Sequence, residues 1–228
     1  MGAVFLVRHG QASFGEADYD RLSEPGREQA VAVGAELARR TGPFASVRCG
    51  SLARQRDTAT LALGAAGTPA VAPSGVAYEL VEDFRWNEYD HIDVLTHHSP
   101  VRREETEPRA FQAGLDAALA DWVAAGEDGP CAETFPAFAA RTRAALDEVI
   151  ASLGKGEQGV VFTSGGVIGV LCAGLLGSAA SGHTFLALQR VTVNGGITKL
   201  VSGRGGVHLL SFNEHAHFDG GPAPLTYR

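Results

Sequence analysis

Ala3-Val4-Phe5-Leu6-Val7-Arg8-His9-Gly10 is the stretch that decides the fold. A short, continuous apolar run stopped by polar residues and a glycine reads as a strand buried on both faces, as the strands of a largely parallel sheet are. Outward from it, Ser23 followed by Glu24-Pro25 gives an N-cap, a first-turn acid and an early proline. Ala30, Val33 and Leu37 then keep helical spacing until Gly42-Pro43. Ser46 to Cys49 reads as a second strand and Leu52 to Leu63 as a second helix, so the first seventy residues alternate as βαβ units do. The stretch from Val81 to Pro130 breaks the rhythm: it is rich in charge and histidine, then carries one amphipathic helix with Phe111, Leu115, Leu119 and Trp122 on a shared face. Phe135 to Leu153 is helical by spacing, Gly159 to Thr163 is another buried strand, and Ser164-Gly165-Gly166 turns into an apolar helix through Leu176. Two strand-like runs, Val191 to Val201 and Val207 to Phe212, finish the chain. The reading is one α/β domain over residues 1–228, a three-layer α/β/α sandwich with a mostly parallel central sheet. An inserted cap at about 81–130 lies over the site.

Composition narrows the function. With 228 residues and 45% hydrophobic content the chain buries a large core. A formal net charge of −7 argues against a broad basic field for nucleic acid or anionic membrane, while leaving room for a small anion held by converging cations. Cys49, Cys131 and Cys172 are odd in number and form no C-x-x-C pair, which points away from disulfides and structural zinc and toward a reducing cytoplasm. Val4 to Val7 is too short for a signal h-region and no segment spans a bilayer, so a soluble, unprocessed protein is expected. Monomer and homodimer both stay open.

Arg8-His9-Gly10 sits where the first strand ends, and open α/β sheets bind ligands outside the carboxyl ends of their strands. An imidazole can attack phosphorus through one nitrogen, a neighbouring guanidinium offers bidentate bonds to phosphoryl oxygens, and Gly10 lets the backbone come close. Leu6-Val7-Arg8-His9-Gly10-Gln11 resembles the signature of the histidine phosphatase superfamily, also called phosphoglycerate mutase-like. Leu22-Ser23 with Gly26, Gln29 and Ala30 resembles the family's next turn and helix start, and Leu52-Ala53-Arg54 with Thr58-Ala59 its second arginine motif. Phe162-Thr163-Ser164-Gly165-Gly166 falls at its late strand-to-helix turn. Phe212-Asn213-Glu214-His215-Ala216-His217-Phe218 resembles its C-terminal segment. The resemblance implies a covalent phosphohistidine on His9 and a clamp of Arg8 and Arg54, in a phosphatase of small phosphorylated molecules that needs no metal or cofactor. Mutase-type transfer and a decayed phosphate-binding module are the alternatives. A general acid is needed beside His9. Trp86-Asn87-Glu88-Tyr89-Asp90-His91 resembles the form seen in one branch and favours Glu88; Glu82, after Glu79-Leu80-Val81, is the alternative.

The chain departs from the family at Ser164, where most members carry a second catalytic histidine, and at Gly15, where many carry asparagine. A hydroxyl and the amides of the following helix can still hold phosphate oxygens. Slower turnover is expected, with Ser164→His raising it if an imidazole fits. Ser13 stands to take over the asparagine's contact, and Gln11, Gly165 and His217 complete the expected substrate contacts. Ser164 within Phe162-x-Ser164-x-Gly166 is half of a serine-hydrolase elbow, but the only carboxylate before His215 is the adjacent Glu214. Gly165-Gly166-x-x-Gly169 lacks the first glycine and the later acid of a dinucleotide fingerprint. His91, His97, His98 and the late His-x-His read as solvated or structural rather than as metal ligands. Arg102-Arg103-Glu104-Glu105 reads as a solvated mixed-sign face.

Overall fold

A computed structural model describes residues 2–13, 19–65, 79–99, 108–177 and 181–227, with the side chains of 108–111 and 181 outside the description. Gly15 and the run 102–105 lie outside the described residues, as does the side chain of Phe111. The described strands form one six-stranded sheet in the order β3-β2-β4-β1-β5-β6. They are β1 (Gly2–Arg8), β2 (Ser46–Cys49), β3 (Val81–Glu82), β4 (Gln158–Thr163), β5 (Ile197–Gly203) and β6 (Gly206–Glu214). The first four in that order run parallel, while β5 and β6 add an antiparallel edge.

Strand β1 is central because its side chains are apolar on both faces. Val4 and Leu6 join a core with α4 (Pro108–Ala125), α5 (Phe135–Ser152), α6 (Gly165–Leu176) and α7 (Ser181–Val191). Phe5 and Val7 face the opposite core, built with α1 (Glu24–Arg40) and α2 (Ala53–Ala65). The period-2 alternation of a strand therefore produces the three layers. Helix α1 starts as its sequence dictates: the Ser23 hydroxyl accepts from the Gly26 N–H, with Pro25 in the first turn.

The insertion differs from the expectation in two ways. Its first residues, Val81–Glu82, form an edge strand paired to β2 rather than part of a cover. It then holds two helices, because α3 (His91–His98) precedes α4, with the Asp90 carboxylate capping the N–H groups of Ile92 and Asp93. The run read as a strand from Val191 is also corrected: Ser181–Val191 is helix α7, and β5 begins only at Ile197. Under the insertion, Tyr89, Trp122, Phe135, Phe138 and Phe185 stack into one aromatic cluster, with ring centroids from 4.9 to 6.5 Å apart. Rings at these separations pack with favourable edge and offset geometry, which ties α4, α5 and α7 to the segment that carries Glu88. Among the described residues, no helix is long and apolar enough to cross a membrane.

Candidate active site

His9 leaves the end of β1 with its backbone N–H still on the ladder, donating to the Thr163 carbonyl at 2.8 Å. Its ring is buried, and Nδ1 lies 2.7 Å from the Gly10 carbonyl oxygen. A carbonyl only accepts, so Nδ1 carries the proton and Nε2 keeps a lone pair. Arg54 Nε donates to that Nε2 at 3.2 Å, a bond that also requires the bare nitrogen. Burial, then the charges of Arg54 and Arg8, hold the His9 pKa well below 6.5. The imidazole is therefore neutral, oriented and nucleophilic near pH 7.

Arg54, on the second residue of α2, is buried rather than a solvated surface group. Asp20 holds its Nη1 at 2.6 Å and accepts the Ala53 N–H at 2.7 Å, so one carboxylate fixes both the guanidinium and the helix start. Thr58 gives the arginine motif its physical sense: its hydroxyl donates to the Arg54 carbonyl and accepts the Gly10 N–H at 3.0 Å. Arg8 is braced by the Thr192 and Tyr227 carbonyls, the latter at 2.8 Å. Gly10 also answers a packing need. A Cβ there would stand 2.2 Å from the Gly26 carbonyl oxygen, so the glycine lets the loop seat on α1.

Glu88 reaches the site from the turn after β3, and its main chain is held on three sides. Arg141 donates to the carbonyls of Phe84, Arg85 and Asn87, while Gln55 and the Thr163 hydroxyl both donate to the Trp86 carbonyl. The Glu88 carboxyl accepts the Gly166 N–H on Oε2 at 2.9 Å, and Oε1 is sealed from solvent with no partner among the described residues. A Cβ on Gly166 would lie 2.0 Å from Oε1, so this glycine is what allows the carboxyl to lie against the start of α6. Burial raises its pKa above 4.5, opposed by the Gly166 N–H and the two arginines. That is the condition of an acid able to give up a proton. Glu82 is instead half exposed on the sheet edge and pairs with Arg56 at 3.4 Å.

Arg8, His9, Arg54, Glu88, Gly165 and Gly166 line one cavity of about 450 Å³, joined by His91, whose charge is felt at His9. The other expected residues lie elsewhere. Ser164 is fully buried and absent from the cavity wall, its hydroxyl accepting from Gln55 Nε2 at 2.9 Å. Gln11 turns its side chain to the Ser23 hydroxyl at 2.9 Å, and the Ser13 N–H donates to the Arg21 carbonyl. His217 lies against Gly195 and lines a separate depression beside α1. Asp20, Gln55, Arg141 and His91 are the site-building residues that sequence reading did not identify as such, because each meets its partners from far away in the chain. Among the described side chains, Asp93, His97 and Cys131 could hold a metal ion, their donor atoms lying within 4.8 Å of one another. Protein bonds already engage this group: Asp93 Oδ2 accepts the Ala132 N–H at 2.8 Å and Oδ1 faces His97 Nδ1 at 3.0 Å.

The family model for the histidine phosphatase superfamily (branch 1) matches residues 4–215. The chain belongs to that superfamily. A metal-independent phosphoserine phosphatase of Arabidopsis thaliana is 28% identical over 195 residues, covering 82% of this chain and 74% of that protein. Among solved structures, mycobacterial hydrolase 1 superposes with a TM-score of 0.67 at 25% identity, covering 94% of this chain and 99% of that one. A mycobacterial glucosyl-3-phosphoglycerate phosphatase shares the fold, with a TM-score of 0.64, 23% identity and coverage of 94% and 99%. In this histidine phosphatase superfamily member Ser164 is fully buried and bonded to Gln55, so an added imidazole must displace packed neighbours. Ser164→His is therefore expected to lower stability by about 1–3 kcal/mol through overpacking, without raising turnover. A thermal melt beside a kcat measurement checks both parts.

Proposed function

We propose that the chain hydrolyses small phosphomonoesters through a phosphohistidine on His9, as a metal-independent phosphatase acting in the cytoplasm rather than on nucleic acid or at a membrane. The observation that carries the reading is the state of His9: Nδ1–H tied to the Gly10 carbonyl and Nε2 bare, 3.2 Å from Arg54 Nε. Nε2 attacks phosphorus in line as the ester P–O bond breaks, and Arg8 and Arg54 take the charge on the equatorial oxygens. The Glu88 carboxylic acid gives its proton to the departing oxygen. The resulting carboxylate then takes a proton from water, the hydroxide attacks phosphorus, and the P–N bond breaks to return neutral His9. The phosphatase names of the relatives support the direction of the reaction.

The test is release of inorganic phosphate from p-nitrophenyl phosphate and a panel of phosphorylated metabolites, with His9→Ala beside the wild type. Equal inertness of the two proteins would overturn the reading. Its pH dependence has a definite sign. His9 must be neutral and its pKa is depressed, so activity persists below pH 6.5, where an ordinary imidazole is already protonated. Glu88 must be protonated, so kcat/KM falls as pH rises through its elevated pKa. Glu88→Gln is expected to remove that alkaline limb and to slow alkyl esters by about 10²- to 10⁴-fold. The loss is smaller for p-nitrophenyl phosphate, whose leaving group needs no proton. A Glu88→Gln profile that keeps the limb would assign it to another group.

A further inference from the structure

Beyond the phosphate-binding residues, the described wall of the cavity is mainly hydrocarbon and aromatic, with His91, Gln189 and Asn194 as its polar members. Ile92 and Leu95 descend from α3, Leu115 from α4, and Tyr19, Tyr89 and Ala12 complete it. Leu115 and Tyr89 are buried in the core, and Leu95 packs against it, so this surface is backed by packed side chains. Of the polar groups that reach the cavity from the described residues, most are engaged by the protein, and the Gln189 side-chain amide stands beside them in the wall. Tyr89 Oη donates to Gln189 Oε1 at 3.1 Å, Asn194 Nδ2 donates to the His9 carbonyl at 3.3 Å, and Asn194 Oδ1 accepts from Thr226. Arg54 is committed between His9 and Asp20, and Arg8 to the carbonyls of Thr192 and Tyr227, at the phosphate end. Apart from His9 and the two tyrosines, the remaining titratable groups among the described lining are Glu88 and His91. A leaving group bearing a carboxylate would bring a second anion, besides the phosphate, against this apolar wall, and desolvating it there is costly.

We infer that the alcohol released by this site is uncharged and mainly hydrocarbon, an alkyl or aryl alcohol rather than a hydroxy or amino acid such as serine or glycerate. This rests on the phosphatase reading and separates the chain from what the name of its Arabidopsis relative describes. The size is consistent: about 450 Å³ lies within the usual range for pockets that enclose a small organic ligand. The water-facing rim belongs to Ile92, which is half exposed while lining the cavity, as a residue at a mouth would be.

The experiment compares kcat/KM for ethyl phosphate, hexyl phosphate, O-phosphoserine and 3-phosphoglycerate. Ethyl and hexyl phosphate have leaving groups of similar basicity, so their ratio reports burial of the chain alone. At about fourfold per buried methylene, hexyl phosphate is expected to exceed ethyl phosphate by on the order of 100-fold. Both amino- and hydroxy-acid esters should fall below hexyl phosphate. Ile92→Asp, at an exposed position, is expected to lower the hexyl-to-ethyl ratio at least tenfold, about 1.4 kcal/mol. Turnover of phosphoserine or 3-phosphoglycerate equal to or above that of hexyl phosphate would overturn the inference and leave the phosphatase reading standing. If no ester is turned over faster than by His9→Ala, the phosphatase reading fails. Calorimetric titration with hexylphosphonate and with the phosphonate analogue of phosphoserine then decides the inference separately: tighter binding of hexylphosphonate upholds it, and equal or weaker binding overturns it.

Discussion

His9→Ala is expected to lower kcat by about 10⁴- to 10⁶-fold on every phosphomonoester the wild type accepts, the scale seen when a covalent nucleophile is removed. The fold should survive, because the backbone of His9 keeps its N–H on the Thr163 carbonyl and its carbonyl toward Asn194 and Gly195 whatever the side chain. The ring contributes one local bond to Gly10 and one to Arg54, and its loss leaves a small polar space bordered by the cavity. A folded, phosphate-binding and inert protein is the expected outcome, measured as burst-free kinetics together with an unchanged circular dichroism spectrum. Residual turnover within tenfold of wild type would remove His9 from the mechanism.

Arg54→Ala is the second large effect, expected at roughly 10²- to 10³-fold on kcat/KM, the cost of deleting one preorganised donor to developing charge. Two further consequences distinguish a clamp from a merely structural arginine. Its charge is the second-largest influence holding the His9 pKa down, so the acid limb of the pH profile should move toward higher pH in the variant. Asp20 also loses the cation it faces at 2.6 Å. Arg54→Lys should recover little, because a lysine offers one ammonium where the arginine uses Nε toward His9 and Nη1 toward Asp20. An acid limb that stays fixed in Arg54→Ala would show that the two side chains do not interact as described.

What could be read from sequence followed the strength of local signals. The Val4–Val7 run is apolar on both faces because helices cover both sides of β1, and that double burial is what a continuous run reports. The Ser23 cap and the apolar Val160–Phe162 strand were similarly plain. Helix α3 was hidden because eight residues are too short to display a period, and it is held by the Asp90 cap, by Asp93 on the Ala132 N–H and by Val94 and Leu95 packed on the core. Helix α7 ends in Arg190-Val191 directly before Thr192-Val193, so β-branched residues beyond the helix masked where the strand begins. In the site, His9 announced itself by its chemistry at the end of β1, and Arg54 and Glu88 by the resemblance of their segments to family motifs, whereas Arg141 and Gln55 act on backbone carbonyls far away in the chain, a role with no local pattern. Ser164 illustrates the reverse: its place in a motif suggested a hand in chemistry, and packing turned its hydroxyl to Gln55.

The most direct measurement is a rapid alkaline quench during turnover of a ³²P-labelled phosphomonoester. Phosphohistidine survives alkali and is lost in acid, unlike phosphoserine. Label is expected on the wild-type chain within the first turnover, released on acidification and absent from His9→Ala. Phosphate release without any labelled protein, or equal labelling of His9→Ala, would contradict a phosphohistidine on His9.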